Sequence, residues 1–199
     1  MIPLIINLLP MKTISIIFII VCVVILGCTG KPKSPIAKAD SVNELKQDSA
    51  NTGLTTTVDS TSAAFLVRAA GDIMLSNAMA MLASEKATIP TIKEYAKATC
   101  KEHNQLNEVI KKLAIQKNVV IPSMNDDSKS SELTERHGSS FDKLYIEEEI
   151  DVYKKSISRF QDAVKTITDK DIRSFADKTL PILQNYLDSA KSIKEKYWK

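Results

Sequence analysis

Histidine, glycine and cysteine are scarce in this 199-residue chain, and each scarcity excludes something. The two histidines, His103 and His137, leave little material for a Ser-His-Asp triad. No Glu-x-x-His pair occurs, so a ferritin-type di-iron centre is not supported. No Gly-rich phosphate loop, Gly-x-Ser-x-Gly or His-Glu-x-x-His is present either, and the enzyme classes built on them drop out. Five glycines and few alternating β-branched runs predict an all-α fold. Excess charge is also lacking. The formal net charge is +3, and residues 1–27 carry only Lys12, so the rest holds 26 basic and 24 acidic residues, a difference of +2. That excludes the basic footprint of a nucleic-acid binder.

What is present begins with a leader. From Met11, the expected start in place of Met1, the chain reads MKTISIIFIIVCVVILGC: a positive Lys12, an apolar core and a small Gly27 before Cys28. This is the organisation of a secretory signal peptide. Ile25–Cys28 (ILGC) resembles the bacterial lipobox, with Leu26 a less usual residue at its place. The resemblance implies cleavage before Cys28, lipid on its sulfur and acylation of the new amino group, several chains together giving firm anchoring. Thr29 in place of an acidic retention residue favours, by resemblance to Gram-negative sorting, the outer membrane facing the periplasm. The competing reading is an uncleaved membrane helix, which Pro10 and Lys12 interrupt. In the lipoprotein reading Cys22 is discarded and Cys28 acylated, leaving Cys100 as the single thiol, so no intramolecular disulfide can form.

Residues 28–61 are rich in Lys, Ser, Thr, Asp and Pro, without apolar periodicity, and read as a flexible tether with a reach of roughly 30 Å. From Ser62 to the end, apolar positions alternate in steps of four and three along four stripes: Leu66–Ala87, Ile92–Leu113, Ile146–Ile167 and Ile172–Tyr197. Such seams are the mark of core-facing bundle helices. Thr88-Ile89-Pro90 makes one tight corner, Asp169 is the expected N-cap at another, and Pro181 should kink the last helix. A long connection over 118–139, with a short helix near Asp127–Arg136, separates the two hairpins. The expected fold is therefore a ferritin-like four-helix bundle with a long crossover between its second and third helices. Each stripe has one polar interruption near its middle: Ser76, His103, Tyr153 and Tyr186. These four are expected at one height, as a polar layer closed by hydrogen bonds around His103.

Five further stretches carry a family resemblance: Phe65–Ala83, Ile92–Ala114, Val119–Pro122, Phe141–Ile146 (FDKLYI) and Phe175–Leu187 (FADKTLPILQNYL). Together they resemble the ferritin-like domain of unknown function (DUF) 4142 family, whose members are often labelled outer membrane proteins. The resemblance implies a Glu in the first helix and a His in each of the others, where this chain has Ser76, His103, Tyr153 and Tyr186. If that pattern is a metal site, most of it is lost here.

The remaining candidates are weighed as follows. His103 with Tyr153 and Tyr186 forms the alternative to a non-catalytic module, a weak ferric-iron site, with no carboxylate on the seams and Glu102 and Glu149 flanking them. Otherwise no cofactor is expected. Cys100 shares a helix face with His103, and reads as a small buried hydrophobe rather than a zinc ligand or nucleophile. His137 reads as exposed, Glu147-Glu148-Glu149 as a solvated face, and KSIKEKYWK as a frayed helix end or a membrane-touching tail. The partners implied are a membrane, through Cys28, and an envelope protein.

Overall fold

The computed structural model describes residues 34–48, 58–123 and 128–199; the leader and Cys28 lie outside the described residues. Over Ser34–Lys199 the described residues form helices only. In chain order these are α1 (Pro35–Asp48), α2 (Ser60–Lys86), α3 (Pro90–Gln116), α4 (Ser128–Thr134), α5 (Gly138–Thr166) and α6 (Lys170–Tyr197).

The ends of the long helices follow from local chemistry. Asp59 caps α2, its carboxylate accepting from the Ser62 amide at 2.9 Å. The α2–α3 corner is closed from outside, because the fully buried Asp142 of α5 accepts from the amides of Thr88 and Ile89, each at 3.0 Å. Pro90 follows at the first position of α3, where no N–H is needed. Beyond Gln116 the chain turns at Asn118, whose φ of 52° is left-handed. The Val119 amide then reaches back to the Ala114 carbonyl at 2.9 Å and the Asn118 amide to Ile115, a Schellman closure that buries Val119. Asp169 caps α6 as expected, accepting from the amides of Asp171 and Ile172. Pro181 lies on an exposed face within α6.

The long helices form two hairpins, α2–α3 and α5–α6, joined by the crossover that contains α4. Cross-helix bonds give their directions. Asn77 meets Asn104, Ser76 meets Glu149, Asp72 meets Ser156 and Arg159, and Thr91 meets Tyr197. Each pair of neighbours around the bundle is therefore antiparallel, with α3 and α5 parallel across the diagonal. This is the ferritin-like arrangement. At one end of the bundle Phe65, Phe160 and Phe175 pack edge-on, with ring centroids 5.0–6.4 Å apart. At that end too, Lys117 ties α3 to the start of α6 through Asp169 and Asp171, at 2.8 and 2.6 Å.

Three expectations change. The segment expected as a flexible tether, 28–61, is helical over Pro35–Asp48, with Ser34 Oγ accepting from the Ala37 amide and Pro35 in the first turn. This α1 lies on α2: Ile36 packs so close to Gly71 that a Cβ added there would meet Ile36 Cδ1 at 2.9 Å. Asn43, nearly all buried, clamps the crossover, donating to the Val120 carbonyl and accepting from the Val120 amide, both at 2.8 Å. Second, α2 begins at Ser60 rather than Ser62. Third, the C-terminus is not frayed. α6 runs to Tyr197, whose hydroxyl bonds Thr91 Oγ1 at 3.1 Å, and Trp198 is half-buried against the core.

Candidate functional site

Midway along the bundle the apolar core is interrupted by a cluster of polar side chains. α2 contributes Ser76, α3 contributes Tyr95, Thr99 and His103, and α5 contributes Tyr145, Glu149 and Tyr153; all are buried. Tyr145, Glu149 and Tyr153 are spaced by four, so they rise along one face of α5 in steps of about 6 Å. The Tyr153 hydroxyl lies 3.1 Å from His103 Nε2. Ser76 Oγ donates to Glu149 Oε2 at 2.7 Å.

Of the four expected layer residues, the structure brings Ser76, His103 and Tyr153 together. Tyr186 contributes its ring, stacked on Tyr153 with centroids 5.9 Å apart, but its hydroxyl turns away and donates to the Ala98 carbonyl at 3.0 Å. In exchange the Tyr95 hydroxyl donates to the Tyr186 carbonyl at 3.3 Å, so the two tyrosines lace α3 to α6. The expectation of no carboxylate on the seams, and of a solvated face at Glu147–Glu149, is corrected at Glu149, whose side chain is fully buried. Glu147 does face outward and pairs with Lys194 at 2.8 Å. Cys100 is a half-buried free thiol. Burial, and then the charge of Glu149, push its pKa up, the opposite of what activates a nucleophile. His137 is exposed.

Two buried groups define the electrostatics. Burial pushes Glu149 up to about 8, against the lowering effect of the Ser76 and Tyr153 hydroxyls. Burial pushes His103 down to about 4, opposed by the Ile73 backbone carbonyl. Tyr145 and Tyr153 are raised by burial first and by Glu149 second. At neutral pH the layer is thus a protonated carboxyl, a neutral imidazole and protonated phenols: polar throughout, charged nowhere.

The layer is incompletely satisfied. Thr99 Oγ1, Tyr145 Oη, Glu149 Oε1 and His103 Nδ1 make no well-formed hydrogen bond, although Tyr145 stands close to the Thr99 hydroxyl and His103 to the Ile73 carbonyl. A buried polar group left wholly unpaired costs about 1–3 kcal/mol, so these loose contacts are the weak points of the layer. Among the described residues no three His, Cys, Asp or Glu side chains gather to hold a metal. A metal here would have to recruit phenol and hydroxyl oxygens.

A signal for Glu149 was present in the sequence. Asp142, Glu149 and Ser156 recur every seven residues in α5, and all are buried and bonded toward α2 or its corner: Asp142 to Thr88, Glu149 to Ser76, Ser156 to Asp72 at 2.8 Å. A polar heptad beside an apolar seam marks side chains that cross to a neighbouring helix.

Comparison with solved structures gives the same fold. Two of those it resembles are CopM in the Ag-bound form (by co-crystallization) and CopM in the Cu(I)-bound form. Each has a TM-score of 0.59 and 14% identity, and the match covers 69% of this chain and 98% of that one. No curated protein matches by sequence. The family model described as a domain of unknown function, DUF4142, matches residues 47–193, most of the chain, and the protein belongs to that family.

Proposed function

We propose that this chain is a lipid-anchored protein of the bacterial envelope whose bundle holds a metal ion and performs no turnover. The observation that carries the metal is the cluster of buried oxygen donors, Thr99, Tyr145 and Glu149, only loosely bonded to their neighbours, beside the His103–Tyr153 pair. Buried groups left unpaired in native cores are commonly completed by an ion or an ordered water. Tyr186, one of the three ligands expected beforehand, drops out of this reading because its hydroxyl is bonded to Ala98; Glu149 takes its place. The silver and copper(I) named for the structural neighbours accord with metal handling in this fold.

The two side grooves stand apart from the layer. The groove between α2 and α5 is lined by residues such as Phe65, Arg68 and Arg159, and that between α3 and α6 by Leu106, Phe175 and Ile182. None of the layer's ionisable groups lines them, whereas a general acid or base must come within hydrogen-bond reach of its substrate. The anchor rests on the leader and the ILGC motif. A Cys28→Ser variant should move the protein to the soluble fraction, and an acyl-bearing N-terminal peptide should be found by mass spectrometry in the wild type alone.

Metal analysis of protein purified without chelator tests the central claim: stoichiometric metal is expected, and lost in His103→Ala. The second reading is a purely structural layer, favoured by the Ser76–Glu149 and Tyr153–His103 bonds that already close part of it. Metal-free protein, identical in wild type and variant, would establish that one instead.

A further inference from the structure

Where the two hairpins meet on one flank, α2 and α5 leave between them a groove of about 480 Å³, within the size range of small-molecule sites. Residues 61–68 of α2 form one wall and residues 155–167 of α5 the other. The groove therefore follows twelve residue steps of α5, from 155 to 167, about 18 Å along the axis. Its two ends differ in kind. Towards the end of the bundle the floor is apolar, made by Ala64, Phe65, Ala163 and Ile167. Towards the waist it is edged by Arg68, Lys155 and Arg159. Arg68 pairs with Asp40 of α1 at 3.3 Å, and Arg159 with Asp72 of α2, and both acids stand outside the lining. Lys155 is exposed and has no ion-pair partner among the described residues. Asp162, the one acid among the described residues of the lining, lies two turns from it along α5, about 10 Å. The two guanidiniums also repel each other: burial, and then the charge of Arg68, push Arg159 below its ordinary value.

We propose that this groove binds a single-chain fatty carboxylate, its head held by Lys155, Arg68 and Arg159 and its tail laid along the apolar floor towards Ile167. Charge selects the head. Arg68 and Arg159 are each paired once, so the unmatched cation at the waist is the ammonium of Lys155. One excess positive charge suits a monoanion better than a phosphate dianion. The guanidiniums supply further donors. Each has five N–H groups in a fork that fits a carboxylate. Arg159 uses Nη1 on Asp72, and Arg68 uses Nη2 on Asp40 and Nη1 on the Ala64 carbonyl, which leaves both with free donors. A carboxylate set between them also offsets their repulsion. Width selects the tail. Packed helices stand with axes about 8–10 Å apart, and the crevice between two of them takes one acyl chain, not the two of a phospholipid. The chain's own link between α1 and α2, residues 49–57, reads SANTGLTTT and holds no acid to meet these cations. No lining residue belongs to the buried polar layer, so this site is independent of the metal-holding reading.

The test uses the full chain in a nonionic detergent, with palmitic acid carrying a photoreactive diazirine near the end of its tail. After irradiation over a range of probe concentrations, labelled peptides are mapped by mass spectrometry. Saturable labelling is expected at residues 61–65 and 163–167, on the two walls of the apolar end, and unlabelled palmitate should compete it away. The same probe with an alcohol in place of the carboxyl should label these peptides several-fold less. Lys155→Gln should weaken binding of the acid about two- to fivefold, the range of one exposed ion pair. Lys155→Glu should nearly abolish it, since the new acid repels the head and competes for Arg159 one turn away. Because Lys155 makes no ion pair in the fold, both variants should keep the wild-type circular dichroism, which separates loss of the ligand from misfolding. Ala64→Leu fills the floor and should lower labelling by the acid and alcohol probes alike. Equal labelling by acid and alcohol, or a Lys155→Glu chain labelled like the wild type, overturns the proposal. So does a phosphate-headed probe preferred over the carboxylate, or labelling confined to the α3–α6 groove at residues 106–113 and 175–182.

Discussion

The buried pair Glu149 and His103 makes the stability of the metal-free chain depend on pH in a way that can be worked out in advance. Glu149 titrates near its ordinary 4.5 when unfolded and at about 8 when folded. Between these values the unfolded chain has lost a proton that the folded chain keeps, so stability falls as pH rises, by about 1.4 kcal/mol per unit and about 5 kcal/mol in all. His103 does the reverse. Its ordinary value is 6.5 and its folded value about 4, so between them the unfolded chain binds the extra proton and stability rises with pH, by about 3 kcal/mol. The two slopes cancel between pH 4.5 and 6.5 and leave a plateau. From 6.5 to about 8 only Glu149 acts, and stability drops by about 2 kcal/mol, a large share of the usual 5–15 kcal/mol. No lysine or arginine is among the described layer residues to absorb the developing charge; the groups around Glu149 are Ser76, Tyr95, Thr99, Cys100, His103, Tyr145 and Tyr153. The assay is urea unfolding with a chelator present, at about pH 6 and about pH 9, where the midpoint reports stability at constant slope. Glu149→Gln keeps an acceptor for Ser76 and never ionises, so it should abolish the alkaline drop and be more stable than wild type at the higher pH by several kcal/mol. An unchanged wild-type midpoint across this window, or an equal drop in Glu149→Gln, would refute the reasoning.

Other perturbations have distinct outcomes. Asp142→Ala strips the acceptor from the Thr88 and Ile89 amides and should cost about 3 kcal/mol in thermal or urea unfolding, at about 1–3 kcal/mol per buried unpaired group. Gly71→Ala should force the Ile36 side chain to shift and loosen α1 on α2, speeding proteolysis within Pro35–Asp48 modestly, and Ile36→Ala in the same chain should remove that effect, since Ile36 is the side chain the new methyl meets. Tyr186→Phe loses one bond to the Ala98 carbonyl and keeps its stack on Tyr153; its midpoint should correspond to a loss of about 1 kcal/mol.

The four long helices were legible because their seams obey one rule, apolar residues in steps of three and four, and the corners carry the residues such corners need. Two things were not legible, for different reasons. α1 has almost no apolar face: it is held by Ile36 and Ala39, by an ion pair of Asp40 with Arg68, and by the amide of Asn43 gripping Val120. A helix fastened through polar contacts with a distant loop has no signature of hydrophobic period. Glu149 was hidden by its neighbours. In a run of three glutamates the shared charge suggests water, while the helix turns only one of the three into the core. Tyr186 shows the converse limit. Its place on the seam was readable and its ring lies there, but the direction of its hydroxyl depends on a carbonyl of another helix.

Under the proposed lipid anchor on Cys28, the docking of α1 has a mechanical consequence. Between Cys28 and Ser34 lie six residue steps, at most about 20 Å of contour, so the leash is short. α1 runs antiparallel to α2, with Ile36 beside Gly71 and Asp40 beside Arg68. A pull through that proposed anchor would enter at Pro35, against the middle of α2, and not at the exposed start of α2 near Ser60. Sliding α1 free requires its bonds to Val120, Asn118 and Arg68 to yield together in shear. The helix that sequence composition assigned to a loose string instead grips the bundle at its waist, and shields the α2 end from being peeled open by tension.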